Sequence, residues 1–322
     1  MKPITLRVKK LALLLASMTI VPLTHAAPWP EKPVRIIIPW APGGSTDIVG
    51  RLVANDLGNR LKQQVIIDNR SGAGGIVGMQ LASQAPPDGY TLLITSTAYG
   101  YLINKSSNVD LVTAFRPVTL LGLGDAALTV SPKLPVKSVK ELIALAKAKP
   151  EELLYASSGI GGFPHMNTEL LNLQAGVKIT HVPFRGGGPA AADVMAGNTH
   201  IYLGSLTTVK THIDAGRLNL LAVGGSKRNS QVPNVPTISE TVPGYESYIW
   251  WGLFAPKGTP PAVISRVHAE TSAALKSPEL LKKLDDQGAA PRPMSTAEFG
   301  NFMAAETKKW SEVIKAAGIK EQ

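Results

Sequence analysis

"VRIIIPWAPGGSTDIVGRLVANDL", residues 34–57, holds the pattern that sets the class of fold. A run of apolar β-formers reaches Trp40 and enters a turn carrying Pro42, Gly43 and Gly44. A helix pattern leaves that turn, with Val49, Val53, Leu57 and Leu61 at spacing four, which is one face of an α-helix. A strand, a glycine turn and a helix in that order build a parallel sheet with helices packed on it. The turn also presents a helix start, whose first N–H groups lack partners within the helix and suit an anion.

The same unit recurs on both sides. Downstream come strand "QQVIIDN", turn "RSGAGG", a helix through Met79 and Leu81, turn "PPDGY" and strand "TLLITST". The stretch "FRPVTLLGLGDAALTVSPKLP" contains two β-like runs, and Ser138 with Glu141 has the form of a capping box. Strands "LLYASS", "KITHVPF", "HIYLG" and "LNLLAVG" then alternate with helix patterns. "WWGLFAP" reads as a buried strand whose adjacent Trp250 and Trp251 face opposite sides. Thr259 is the expected cap of a helix with prolines in its first turn, Ser277 with Pro278 opens another, and Ser295 with Glu298 forms a second capping box. No Gly/Ser-rich or charged linker divides the chain. "PVTLLG" and "LNLLAVG" read as two crossings between units. They predict one lobe from residues 27–122 plus 223–322, a second lobe from 123–222, and a ligand cleft between them.

Five strand-to-helix turns share small or polar residues: "PGGSTD" (42–47), "SGAGG" (71–75), "TSTAYG" (95–100), "SSGIGG" (157–162) and "RGGGPA" (185–190). In an open parallel sheet such turns lie at the carboxyl ends of the strands, where ligands bind. No G-x-x-x-x-G-K-[ST] run is present, and "GAGGIVG" places Val77 where a dinucleotide fingerprint needs its third glycine. Neutral N–H and O–H donors without an obligatory lysine suit carboxylates. Neither G-x-S-x-G nor H-E-x-x-H occurs, and the histidines lack ligand spacing, so no metal or cofactor is expected. His165 begins a helix after the fourth turn, where ligand contact and packing or capping both stay open. Asp47 at the first helix start stabilises the dipole end and would repel an anion as a direct ligand.

The first 26 residues read as a cleavable secretory signal peptide, a leader for export. Lys2, Arg7, Lys9 and Lys10 precede the apolar run "LALLLASMTIVPL", and "THA" supplies small residues for cleavage after Ala26. Four of the ten net positive charges lie there, leaving +6 for the rest. Those lysines and arginines are scattered over helix surfaces, which argues against a nucleic-acid face. The chain has no cysteine, which removes thiol catalysis and Cys-based metal sites.

The segments "WPEKPVRIIIPWAPGGSTDIVGRLVANDL", "VIIDNRSGAGGIVG", "APPDGYTLLITST", "LYASSGIGG", "HVPFRGGGPAAADVMAG" and "AGRLNLLAVGGSKR" follow one another in order, with "VPTISETVPGY" and "GLFAPKGTPPAVI" after them. Together they resemble the extracytoplasmic solute receptors of the tripartite tricarboxylate transporter family, the Bug-type binding proteins. The resemblance implies a periplasmic two-lobe α/β receptor of type II binding-protein architecture, each lobe a mainly parallel sheet flanked by helices. It implies capture of a small organic carboxylate (dicarboxylate, tricarboxylate or aromatic acid) for membrane transporter subunits. No nucleic acid or cofactor is involved, and a monomer is expected. By this resemblance Gly44, Ser45 and Thr46, Ser96 and Thr97, Ser158 and Gly161, and Gly186, Gly187 and Gly188 fall in binding loops, with Ser205 as a further candidate. The loop after Ser158 departs from the family's small polar run, because Ile160, Phe163 and Pro164 make it apolar. This favours an acid with an apolar or aromatic body, with Trp40 and Phe184 as walls. Two other readings are an exported hydrolase-like enzyme using Ser158 with His165, and a carboxylate receptor that serves signalling.

Overall fold

The computed structural model describes residues 29–97, 102 and 109–320. The expected leader, residues 1–26, lies outside the described residues, as do residues 98–100 of the third turn. A short unit ends at Glu31, and residues 32–322 form one compact unit that holds every element below.

The opening strand–turn–helix is β1 (Val34–Ile38) followed by α1 (Ser45–Leu61). Val49, Val53, Leu57 and Leu61 are all buried, as the four-residue stripe requires. Next come β2 (Val65–Asn69), α2 (Ile76–Ser83), β3 (Thr91–Ser96), the single turn α3 (Leu111–Ala114) and β4 (Phe115–Val130). The alternation continues through α4 (Val139–Ala148), β5 (Leu154–Ser157), α5 (Phe163–Ala175), β6 (Thr180–Pro183), α6 (Gly187–Ala196), β7 (Ile201–Ser205), α7 (Leu206–Asp214) and β8 (Asn219–Val223). The chain closes with β9 (Tyr248–Pro256), α8 (Pro261–Ala274), α9 (Pro278–Asp286), β10 (Ala289–Pro291) and α10 (Thr296–Ala317).

The strands form one hydrogen-bonded path, β2-β1-β3-β9-β4-β7-β5-β6, with β8 and β10 also paired to β4. Each end of the path is parallel: β2-β1-β3 and β7-β5-β6. The middle is antiparallel, because β9 runs against both β3 and β4, and β4 runs against β7 and β8. The sheet is therefore mixed, with parallel groups joined by an antiparallel centre.

β4 is the join. The two β-like runs read from the sequence are one 16-residue strand. Phe115–Asp125 pairs with β9, and Ala126–Val130 pairs with β7 and β8. Register shifts between Pro117 and Thr119 and between Leu120 and Gly122 interrupt the first part. A bulge there accommodates Pro117, which has no N–H for the ladder.

Each group has its own packing. Trp250, Phe254 and Phe299 are fully buried and meet at ring separations of 5.1–6.4 Å, fastening α10 to β9. A second cluster joins Ala127, Ala190, Val194, Tyr202, Leu206 and Val209, with Phe184 packed on its edge. The expected caps hold at Ser277 and, as a full box, at Ser295 and Glu298. Ser138 caps α4, but the Glu141 carboxylate accepts from the Lys137 N–H, one residue earlier than a box requires. Thr259 does not cap α8; its hydroxyl donates to the Pro256 carbonyl, and Pro260 takes the cap position.

Leu57 is fully buried, whereas Leu281 on α9 is 39% exposed. Leu57→Ala should lower unfolding free energy by about 2–5 kcal/mol. Leu281→Ala should change it by less than about 0.5 kcal/mol. Urea titrations of both variants check this; similar midpoints would contradict the packing described.

Candidate functional site

Strands of both parallel groups end at one small cavity, with ≈ 30 Å³ open to the centres of water-sized groups. Trp40, Ala41, Gly44, Ser45, Thr46 and Asp47 line it from the β1–α1 turn, with Ser96 at the end of β3 and Ile249 in β9. The other parallel group supplies Ser158, Phe163 and Pro164, Gly187, Tyr202 and Ser205, and Thr208 of α7.

Four helices start here, and none is capped by its own side chain. Their cap positions are Gly44 (α1), Gly162 (α5), Gly186 (α6) and Ser205 (α7), each without a side-chain cap hydrogen bond. By contrast α4, α9 and α10 carry working serine caps. Converging uncapped helix starts make a site of positive potential without a cationic side chain. Among the described residues no Lys, Arg or His lines the cavity.

Part of the nearby main chain is already committed. The Gly43 N–H donates to Asp47 Oδ2 (3.1 Å), and the Ser45 N–H donates to Thr208 Oγ1 (3.0 Å). Asp47 accepts further from Asn69 (3.0 Å) and pairs with Arg51 (2.9 Å). Its carboxylate thus anchors the turn and is fully matched. Side-chain donors remain. Ser45 Oγ accepts from the Trp251 indole (3.4 Å) and Ser96 Oγ accepts from the Thr46 hydroxyl (3.1 Å), which leaves both serine hydrogens to give. Ser205 Oγ and Trp40 Nε1 are buried and have no partner among the described residues.

The glycines face each other across the site. The Ala41 N–H donates to the Arg185 carbonyl at 3.0 Å. A Cβ on Gly186 would lie 3.0 Å from Ala41 N, and one on Gly188 would lie 2.7 Å from the Pro42 carbonyl. The second and fourth turns interlock likewise: Gly74, at φ +61°, has the Ile160 carbonyl where a Cβ would stand.

Nine of the fourteen residues expected from the sequence therefore line the cavity: Trp40, Gly44, Ser45, Thr46, Ser96, Ser158, Phe163, Gly187 and Ser205. Five do not. Thr97 follows Ser96 in extended chain and so takes the opposite face, fully buried. Gly186 and Gly188 meet the facing turn, and Gly161 spends its N–H on His165 Nδ1 (3.1 Å). His165 lies beneath that turn, its ring tilted by 35° against that of His181 at 4.3 Å. Phe184 packs on the second core; the apolar walls are Trp40, Phe163, Pro164, Tyr202 and Ile249. Trp250 is core, and Trp251 reaches the site through Ser45. Tyr202 and Thr208 were not anticipated. Thr208 stands one helical turn after Ser205, a spacing that brings both to one face of α7.

His165 Nδ1 accepts from the Gly161 N–H, and no hydrogen bond joins Ser158 to His165 among the described residues. Ser157 is paired instead with His181 Nε2 (2.5 Å), fully buried behind the turn. Larger surface grooves exist, such as one of ≈ 600 Å³ between α1 and α9, but its charged side chains include the ion-paired Arg51, Asp47, Lys283 and Glu279.

The model of the tripartite tricarboxylate transporter family receptor matches residues 49–319. The chain belongs to that receptor family. It is 34% identical over 299 residues to protein BugT of Bordetella pertussis, covering 91% of each chain. An adipate-bound protein of R. palustris has TM-score 0.88 and 35% identity, covering 91% of this chain and 99% of that one. MatC from Rhodopseudomonas palustris with bound malate has TM-score 0.85 and 29% identity, covering 89% and 100%. The receptor has the two-lobe α/β architecture of periplasmic binding proteins, and it captures carboxylates for a transport system.

Burial lowers the His165 pKa to about 3, assisted by neighbouring His181, and lowers that of His181 to about 4. Tyr155, stacked on both rings, gives its hydroxyl hydrogen to Glu169 (2.6 Å). An unfolded histidine titrates near 6.5. Between about pH 6.5 and 4 the unfolded chain thus binds protons that the receptor refuses, and stability falls as pH falls. The limiting slope is about 1.4 kcal/mol per pH unit for each histidine. Urea unfolding at pH 7 and pH 5 checks this: His165→Asn, which retains an acceptor for Gly161, should lose less stability on acidification than the wild type.

Proposed function

We propose that the receptor takes a small organic acid with an apolar body, of the size of adipate or malate, and hands it over unchanged. The observation carrying this reading is the donor set: serine hydroxyls and an indole N–H at uncapped helix starts, walled by Trp40, Phe163 and Tyr202. Solved relatives at 29% and 35% identity hold malate and adipate, and this supports the same class here. Ser45, Ser96, Ser158 and Ser205 give hydrogens to the carboxylate oxygens, and Trp40 Nε1 gives a fifth.

The rims of the cavity are in main-chain contact, so capture requires the lobes to part and close. The change of partner on β4 between Asp125 and Ala126 supports lobes of 27–122 plus 223–322 and of 123–222, with the hinge near that change. Export through a leader cut after Ala26, action as a monomer and delivery to the family's membrane subunits complete the reading.

A thermal-shift panel of adipate, malate, citrate and benzoate tests it. An acid at a hundred times its Kd stabilises the native state by about 2.7 kcal/mol. Stabilisation by at least one acid, recovered unchanged by NMR, is expected; none with any acid, or equal stabilisation by its neutral amide, would overturn the reading. Ser205→Ala removes one hydrogen bond to a charged group, a loss of about 1.5–3 kcal/mol or roughly ten- to a hundredfold in Kd. Gly187→Val should abolish binding in a folded protein, because its Cβ would come within 2.8 Å of the Tyr202 hydroxyl. Calorimetric titration reads both.

A further inference from the structure

α1 has 17 residues and begins at the cavity, yet its cap position is Gly44, which has no side chain to offer. An exposed helix start is ordinarily served by a Ser, Thr, Asp or Asn at that position. Here the first N–H of the helix, on Ser45, donates to a hydroxyl 163 positions away, that of Thr208. Thr208 lies in the first turn of α7, which follows β7, whereas α1 follows β1. The bond therefore crosses from one parallel group of the sheet to the other. Thr208 is buried, and the fully buried Tyr202 hydroxyl interacts with it from the cavity side. Beside it run the Ala41-to-Arg185 main-chain bond and the glycine contacts of residues 186 and 188.

We propose that Thr208 is a positioning residue that holds the two lobes closed by capping α1 in trans. The cap exists only when the lobes meet. When they part, the Ser45 N–H returns to water and α1 loses the one side-chain partner of its first N–H. Thr208 thereby gives the closed arrangement a stabilising bond that needs no acid. An acid's apparent affinity is reduced by whatever fraction of the receptor is not binding-competent, so a residue that raises the closed fraction also tunes affinity. That consequence rests on the cavity being the acid's site; the bond itself does not, and its test uses no acid.

The test compares ligand-free wild type, Thr208→Val and Thr208→Ser by amide hydrogen exchange and small-angle X-ray scattering. Valine keeps the shape and removes the acceptor, while serine keeps the acceptor. The Ser45 amide should exchange about three- to thirtyfold faster in Thr208→Val, the span of a lost helix cap, and the radius of gyration should rise. Thr208→Ser should match the wild type in both. The Leu93 amide in the buried strand β3 serves as the internal control and should be unchanged. Wild-type exchange at Ser45 in Thr208→Val, an unchanged radius, failure of Thr208→Ser to restore either, or equal acceleration at Leu93 would each overturn the proposal. Failure to find a binding acid would count against the functional reading and leave these outcomes as they stand.

Discussion

Two backbone segments can meet at main-chain distance only where no Cβ stands between them, and this receptor sets such segments on both rims of its cavity. The β1–α1 turn meets the start of α6 through Gly186 and Gly188, with the Ala41 N–H bonded to the Arg185 carbonyl. The turn at Gly74 meets the one at Ile160. Much else depends on this fit. Facing glycine turns bring four helix starts to one point, and only at that spacing does Thr208 of α7 reach Ser45 of α1. Glycine at these places costs chain entropy, and the return is a closed form in which water has little room.

The turns divide their work by atom type. Main-chain groups that a sequence reading assigns to the ligand are partly engaged inside the protein, at Gly43 with Asp47 and at Ser45 with Thr208. Main chain holds the rims in shape, and side-chain hydroxyls are left facing the cavity. An amide N–H is fixed by the backbone path, but a hydroxyl hydrogen rotates to suit its acceptor. A family of receptors on one scaffold can then change ligand by exchanging serines and apolar walls while the rims stay closed. In this chain Phe163 and Pro164 are apolar walls of that kind.

Local chemistry made the α/β alternation legible: the four-spaced stripe of α1, the serine caps of α9 and α10, and the glycine turns are all short-range patterns. Nine lining residues followed because strand ends and helix starts are themselves local features. What escaped was long-range. The glycines of residues 74, 186 and 188 suit ligand contact and rim contact equally well until the facing turn is known. The unity of β4 was hidden by Pro117, Gly122 and Gly124, which weaken a strand pattern yet are tolerated at its bulges and close contacts. His165 has the right position in sequence to touch a ligand, but a helix turns its third residue to a different face from its first, and His165 meets His181. Tyr202 and Thr208 carry no motif; their role comes from what lies opposite them.

Among the described residues no cationic side chain lines the cavity, and this suits a site that must release what it holds. A buried arginine–carboxylate pair is strong and bidentate, and breaking it leaves an unmatched buried charge, which slows release. Arg51, in the second turn of α1, is instead half-exposed and tied to Asp47. That pairing keeps the turn's one carboxylate satisfied, so it does not repel the incoming anion, and it keeps the guanidinium off the ligand. Neutral donors at helix starts can then supply an attraction that exists only while the lobes are closed. In the proposed opening each hydroxyl and N–H would find water without leaving a stranded charge, so the motion that admits an acid would also let it go.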